Sequence, residues 1–132
     1  MNITVDTNVL VRLVMEDDPK QARTARKFLT EASLIAIPSP VLCEFVWVLR
    51  KVYRLNDVDI ITALRVLINV RQVKLDRPAV EMGIAMLEAG GDFADGVIAH
   101  EGRWLGGETY VSFDKEAVHL LQQRGVASRQ LR

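Results

Sequence analysis

The sequence predicts an α/β domain built around a parallel sheet. Short segments rich in β-branched residues, beginning with Ile3 to Val5, alternate with longer segments whose apolar residues recur at the helical period of about 3.6. Strands that are separated by helices pair in parallel, and the helices cover the sheet. No repeat, linker or low-complexity segment interrupts this alternation, so we expect a single domain over residues 1–132.

Five short apolar segments are the predicted strands. The first ends at Asp6, the second is stopped by Pro38, and the fourth leads into Asp114. The third, which contains Leu75, is the weakest of the five. The strands are expected at residues 3–5, 34–37, 73–75, 109–112 and from 126 onward.

Start and stop signals place seven helices among these strands. Asp18-Pro19 is a cap followed by proline at the first helical position, and proline also opens the third and fifth helices. The glycine pairs Gly90-Gly91 and Gly106-Gly107 end the fifth and sixth helices. We expect Val52 to share the buried face of the third helix and Val58 that of the fourth. The helices are expected at residues 9–16, 19–32, 40–52, 57–68, 78–90, 93–105 and 115–124.

Charge and cysteine content narrow the functional classes. The 17 basic and 17 acidic residues cancel, so no overall field attracts polyanions, although 12 of the bases are arginine, which favours planar contacts with phosphate or carboxylate. The single cysteine, Cys43, has apolar neighbours and is expected to pack in the core. The sequence has no signal-peptide or transmembrane pattern, so we expect a cytoplasmic protein without a membrane partner.

Two acidic residues directly follow predicted strands. Asp6 follows the first strand and Asp114 the fourth, and the carboxyl ends of parallel strands are where α/β sheets bind ligands. Either residue could instead simply cap the helix that comes next. Thr7 and Asn8 are expected to hold the turn after Asp6.

Three further acidic residues lie on predicted helices. Glu44 is surrounded by apolar residues, so we expect it to be neutralised by a proton, by an ion pair with Arg50 or Lys51, or by a metal ion. Asp92 and Asp95 are three residues apart at the start of the sixth helix and share one face of it. We expect Asp95 to be a ligand and Asp92 to be a cap or an auxiliary acid.

Several carboxylates in one pocket need a compensating charge. Two of them about 4 Å apart repel by roughly 4 kcal/mol at an effective dielectric constant of about 20. Because few His or Cys ligands accompany these acids, Mg²⁺ or Mn²⁺ suits the cluster better than Zn²⁺. A divalent cation among carboxylates can polarise a phosphoryl oxygen and activate water, so the pattern favours phosphodiester hydrolysis.

Four motifs, taken in order, resemble the PIN domain family and within it the VapC-type toxins of bacterial toxin–antitoxin pairs. They are Asp-Thr-Asn-Val-Leu at 6–10, Glu44, Asp-Phe-Ala-Asp-Gly-Val-Ile-Ala at 92–99, and Phe-Asp-Lys at 113–115. Each motif is weak alone, but together they cover essentially the whole chain. Gly96 departs from the family, in which alanine is commoner, and the extra flexibility is expected to loosen Asp95.

The resemblance implies a fold, an activity and a set of site residues. The fold would be a three-layer PIN-like α/β fold, with a central parallel five-stranded sheet in the order 3-2-1-4-5 flanked by helices. The activity would be that of a metal-dependent endoribonuclease that uses Mg²⁺, or alternatively Mn²⁺. Thr7 and Asn8 would shape the first loop, and Asp92 would be an extra acid beside the site. The catalytic and metal-binding residues would be Asp6, Glu44, Asp95 and Asp114.

The same resemblance implies binding partners. A small VapB-type antitoxin would insert a segment near the acids, often with an arginine. The toxin would form homodimers and a larger toxin–antitoxin assembly that binds DNA through the antitoxin. The RNA substrate would be structured, as tRNA is.

A few other residues receive smaller roles from the sequence. Ser112 is expected to donate a hydrogen bond to a carboxylate of the site, and Lys115 to touch the scissile phosphate. Trp47 is expected in the core, and Trp104 at a half-exposed position or a subunit contact. The two histidines are expected to be structural or at the surface.

Two other classes of function stay open at this point. A PIN-like module could bind RNA or protein without cutting, which would require at least one of the four acids to be misplaced. A phosphoryl-accepting receiver domain also gathers acids at strand ends, and Asp76 would then be its acceptor. Receiver domains carry an adjacent acidic pair after the first strand, however, and this chain has no such pair.

Overall fold

Helices and short strands alternate along the whole chain. The computed structural model describes all 132 residues and contains seven helices and five strands. The chain divides into two units, Met1–Asp76 and Arg77–Arg132, each with its own parallel sheet. The predicted α/β class and the parallel pairing are therefore confirmed. The single five-stranded sheet stays a prediction, because the strands are hydrogen-bonded only within each unit.

The first unit is a three-stranded parallel sheet with four helices. Its elements are β1 (Asn2–Thr4), α1 (Thr7–Met15), α2 (Pro19–Glu31), β2 (Leu34–Ala36), α3 (Ser39–Lys51), α4 (Asp57–Ile68) and β3 (Val73–Lys74). The strand order is β1-β2-β3, and Ile35 of the central strand lies opposite Ile3 on one side and Val73 on the other. This order agrees with the 3-2-1 part of the predicted sheet.

The core of the first unit is built mainly from α3 and α4. Phe45 and Leu49 are fully buried on α3, and Ile60 is fully buried on α4. The expected burial of Val52 and Val58 is wrong, since these side chains are 61% and 71% exposed. Val52 is the C-cap of α3, so it lies at the very end of the helix, beyond the buried Leu49. Val58 lies two residues before Ile60, which places it about 200° around the helix from the buried side.

The second unit contains the remaining helices and strands. Its elements are α5 (Arg77–Glu88), α6 (Phe93–Trp104), β4 (Tyr110–Ser112), α7 (Lys115–Gln123) and β5 (Ser128–Gln130). β4 and β5 pair in parallel, with Tyr110 opposite Ser128. Gly90, just after α5, has a φ of +84°, a conformation that glycine adopts without strain. None of the seven helices of the chain is both long enough and apolar enough to cross a membrane.

Helices α5 and α6 approach each other closely through two glycines. A Cβ atom added at Gly96 would lie 2.6 Å from the carbonyl oxygen of Met82 and 2.8 Å from the Cα of Gly83. A Cβ at Gly83 would lie 2.6 Å from the ring of Phe93, which is fully buried. We therefore assign Gly96 a role other than the expected loosening of Asp95. This glycine permits the backbones of α5 and α6 to pack directly against each other.

Candidate metal and catalytic site

Three acidic residues of the second unit are placed by helix starts. Asp92 is the N-cap of α6 and accepts a hydrogen bond from the backbone N–H of Ala94 at 3.2 Å. Asp114 is the N-cap of α7 and accepts from the N–H of Ala117 at 3.1 Å. Asp95 lies in the first turn of α6. The partial positive charge of a helix N-terminus stabilises carboxylates at such positions.

The surroundings of Asp95 disturb its ionisation. Burial raises the pKa of Asp95 above its ordinary value of 3.8, and the negative charges of Asp92 and Asp114 raise this pKa further. The hydroxyl of Tyr110 donates a hydrogen bond to Oδ1 of Asp95 at 3.0 Å, which opposes the shift in the pKa. The salt bridges Arg12–Asp17, Arg26–Glu16 and Arg50–Asp57 involve none of these acids. Asp95 is thus half-buried among like charges, as ligands of a cation are.

Tyr110 is a functional candidate that the sequence reasoning missed. Burial and the negative charge of Asp95 raise the pKa of Tyr110 to about 12, so its hydroxyl stays a hydrogen-bond donor at neutral pH. Tyr110 and Ser112 are two residues apart on β4 and therefore project from the same face of the strand. Tyr110, Ser112 and Asp114 follow one another at intervals of two residues. This spacing is the signal in the sequence that could have identified Tyr110.

The two residues that flank Asp114 differ from their expected roles. Ser112 does not donate to a carboxylate; its hydroxyl oxygen accepts a hydrogen bond from the backbone N–H of Asp114 at 3.0 Å. The Ser112 side chain also hydrogen-bonds to Tyr110, which lowers the pKa of that tyrosine. Ser112 therefore shapes the turn before α7. Lys115 is the exposed first residue of α7, and its contact with a phosphate stays a prediction.

In the first unit, Asp6 lies directly beyond β1. It is the N-cap of α1, and its Oδ1 accepts a hydrogen bond from the N–H of Val9 at 3.3 Å. Thr7, the first residue of α1, is buried, whereas Asn8 is exposed. Asp6 and Asn8 both line a cavity of about 870 Å³. The predicted turn after the first strand is therefore present, with an acid and an amide facing open space.

The prediction that Glu44 and Trp47 lie in apolar, buried surroundings is wrong. Glu44 is exposed and forms no ion pair, while Arg50 pairs with Asp57 at 3.3 Å. Trp47 is 57% exposed, three residues beyond Glu44 on the same side of α3. The buried residues of α3 are on the other side and include Leu42. An exposed carboxylate needs no internal partner, so Glu44 is free to face a ligand.

Comparison with known families gives a match that covers most of the chain. The model of the PIN domain family matches residues 3–120. This chain belongs to the PIN domain family. No curated protein matches the sequence. PIN domains are typically metal-dependent nucleases, and the matched region contains Asp6, Glu44, Asp95 and Asp114.

The acids of this PIN domain have the right chemistry for a divalent cation. Carboxylate oxygens are the ligands that Mg²⁺ and Mn²⁺ prefer. Within neither unit, however, do three or more His, Cys, Asp or Glu side chains lie close enough together to hold a metal ion. The chemistry of the donor set therefore fits the divalent metal that PIN domains usually bind.

The sequence also singled out two histidines and Trp104. His119 is exposed on α7, as expected. His100 is half-buried on α6, and its Nε2 atom is buried without a hydrogen-bond partner. Trp104, at the end of α6, is 79% exposed, which is more than half, and its place at a subunit contact stays a prediction.

Proposed function

We propose that this PIN domain is a metal-dependent endoribonuclease whose site consists of Asp6, Glu44, Asp95 and Asp114. The observation that carries the proposal is the half-buried position of Asp95 beside Asp92 and Asp114, which raises its pKa. A carboxylate held there without a neighbouring cation is costly unless a proton or a metal ion neutralises it. A nuclease that recruits Mg²⁺ or Mn²⁺ makes use of this uncompensated charge.

The residues of the chain have separable roles in this proposal. Tyr110 donates a hydrogen bond to Oδ1 of Asp95, so the other carboxylate oxygen would be available to bind the ion. The helix starts fix Asp92 and Asp114, the former as an auxiliary acid and the latter as a ligand. A bound Mg²⁺ or Mn²⁺ would polarise a phosphoryl oxygen and lower the pKa of water. Lys115 follows Asp114 directly and is proposed to contact the phosphate.

We also propose that residues 1–132 form one nuclease domain. In the five-stranded order 3-2-1-4-5, strands one and four are neighbours, which would bring Asp6 and Glu44 to the same sheet edge as Asp95 and Asp114. The family match supports this arrangement, because it begins in β1 and runs through most of α7. Thr7 and Asn8 would shape the loop beside Asp6.

The biological role that we propose is that of a toxin in a toxin–antitoxin pair. The support is the order and spacing of the four acidic motifs, which resemble those of VapC-type toxins. A VapB-type antitoxin would then be the partner, and homodimers and a DNA-bound assembly would be expected. The substrate would be a structured RNA, such as tRNA, in the cytoplasm.

An RNA cleavage assay with matched variants tests the enzymatic proposal. Wild-type protein should cut RNA with Mg²⁺ or Mn²⁺ and stop when a chelator is added. Asp95→Asn should lower the rate by about 100-fold or more, as expected when a group that stabilises the transition state is removed. Asp59→Asn is the control, because Asp59 is also an acid in the first turn of a helix but is exposed on α4. Cleavage that survives Asp95→Asn and the chelator would contradict the proposal, whereas RNA binding without cleavage would favour a binding module.

A further inference from the structure

Two side chains at the end of helix α6 are exposed although they are apolar. Trp104 and Leu105, at 79% and 90%, are the two most exposed large apolar side chains of the chain. Ile98, earlier on α6, and Val111, on β4, are also at least half exposed. We call these four residues, all in the second unit, the α6–β4 patch. Apolar side chains are unfavourable in water, and where they are grouped on a surface they mark sites of association.

A small cavity lies inside the α6–β4 patch. It has a volume of about 260 Å³, and Ile98 and Val111 form part of its wall. Arg103 and Gly107 also line it, so the other two residues of the patch, which come between them along the chain, stand at its rim. The volume is below the roughly 300–1,000 Å³ that is usual for small-molecule sites. The cavity therefore suits one large side chain better than a free ligand.

Two opposite charges border the same cavity. Arg103 and Glu108 both line it, both are exposed, and neither forms an ion pair. The two charges cancel, so the patch has no field that would attract a polyanion. A second copy of the chain fits them, because in a twofold dimer a contact from residue i to residue j is repeated from j to i. Arg103 of each copy would then meet Glu108 of the other.

We infer that the α6–β4 patch is the interface of a symmetric homodimer, in which Trp104 of each copy fills the cavity of the other. Arg103 of one protomer pairs with Glu108 of its partner, and the apolar residues around this pair exclude water. Tryptophan and arginine are enriched at the centre of interfaces. The inference deepens the proposed toxin role by naming the surface of its homodimer, but it does not rest on RNA cleavage. A different protein is the other possible occupant, but a patch that carries both a projecting ring and a cavity, with one charge of each sign, favours a second copy.

Charge reversal tests the pairing of the two copies. Sedimentation equilibrium over a range of concentrations should show that the wild type is a dimer that dissociates on dilution. Arg103→Glu and Glu108→Arg should each weaken the dimer by at least about tenfold, because each places like charges opposite one another at two points of the interface. The double variant Arg103→Glu/Glu108→Arg should return the dissociation constant to within about threefold of the wild-type value, because the opposite charges face each other again. If the double variant dimerises no better than the single variants, the inference is wrong.

Tryptophan fluorescence tests the role of Trp104. The chain has two tryptophans, so in the Trp47→Phe variant Trp104 is the only one. Its emission should shift to shorter wavelength as the protein concentration is raised through the dissociation constant, because the indole ring leaves water. Trp104→Ala should weaken the dimer by about 30-fold or more, as the loss of a buried interface anchor does. Phe28→Ala is the control, because it removes an exposed ring from the first unit, and it should leave the dimer unchanged.

Two further results would overturn the inference. One is a wild type that stays monomeric at every concentration, which would leave the patch to a different protein. The other is a Trp104→Ala variant that dimerises as well as Phe28→Ala. Failure of the wild type to cleave RNA would instead refute the proposed function alone, because sedimentation requires neither metal nor RNA.

Discussion

Replacing Gly96 with alanine should destabilise the protein, although alanine is the better helix former. The added Cβ would lie 2.6 Å from a backbone carbonyl oxygen and 2.8 Å from the Cα of Gly83. Neither atom can move away by a change of side-chain rotamer. Helix α6 would have to shift relative to α5, and α6 holds Asp95 against Tyr110. We therefore expect both stability and the geometry of the acidic site to suffer.

Two opposing energies set the size of this effect. The higher helix propensity of alanine favours the variant by about 1 kcal/mol. Overpacking costs about 1–3 kcal/mol, and contact with backbone atoms places Gly96→Ala near the upper end of that range. The net loss is about 1–2 kcal/mol, or roughly 3–8 °C in the melting temperature of a domain of this size.

Gly102→Ala is the matched control for this prediction. Gly102 is on the same helix, but a Cβ there would meet no atom within 4 Å. This substitution should raise stability by about 0.5–1 kcal/mol, so the two variants should shift the melting temperature in opposite directions. Thermal unfolding followed by circular dichroism measures both. A rise in melting temperature for Gly96→Ala would refute the close packing of α5 and α6.

Three further predictions concern single side chains. Asp95→Asn should raise the melting temperature of the metal-free protein at pH 7, because the raised pKa of Asp95 means that its ionised form disfavours folding. The gain in melting temperature should vanish below pH 3.8, where wild-type Asp95 is protonated. A gain that does not depend on pH would contradict this cause. Tyr110→Phe removes the hydroxyl that bonds to Asp95 and should weaken Mn²⁺ binding in calorimetry by about tenfold. Tyr53→Phe is the control, because it removes a tyrosine hydroxyl that bonds to Asp17 at 2.6 Å, and it should leave Mn²⁺ binding unchanged. Equal affinities of the two variants would exclude a positioning role for Tyr110. Asn56→Ala should lower the free energy of unfolding by about 1 kcal/mol in urea denaturation, because the Asn56 side chain caps α4 by accepting a hydrogen bond from the N–H of Asp59. An unchanged denaturation midpoint would show that the cap contributes nothing.

The sequence predicted well those features that depend on neighbouring residues. The caps at Asp6, Asp92 and Asp114 are local, because each side chain bonds to a backbone N–H two or three residues later. Helix and strand order followed from turn and proline signals of the same short range. The order of the acidic motifs, read along the chain, indicated the family that the match over residues 3–120 shows.

Features that depend on distant residues could not be predicted in the same way. Tyr110 and Asp95 are fifteen residues apart, and nothing in the local pattern pairs them. Nearly every neighbour of Glu44 and Trp47 along the chain is apolar, so composition suggested buried surroundings for two side chains that lie on the exposed side of α3. Gly96 resembled a flexible position because close contact between two backbones leaves no mark on composition.

Mn²⁺ binding by single variants from the two halves of the chain tests most directly whether the acids form one metal site. Isothermal titration should show binding by the wild type, and both Asp6→Asn and Asp95→Asn should weaken that binding by at least about tenfold. Asp59→Asn should bind Mn²⁺ like the wild type. If Asp6→Asn or Asp95→Asn binds Mn²⁺ with unchanged affinity, the acids of the two units do not share an ion and the proposed site is wrong.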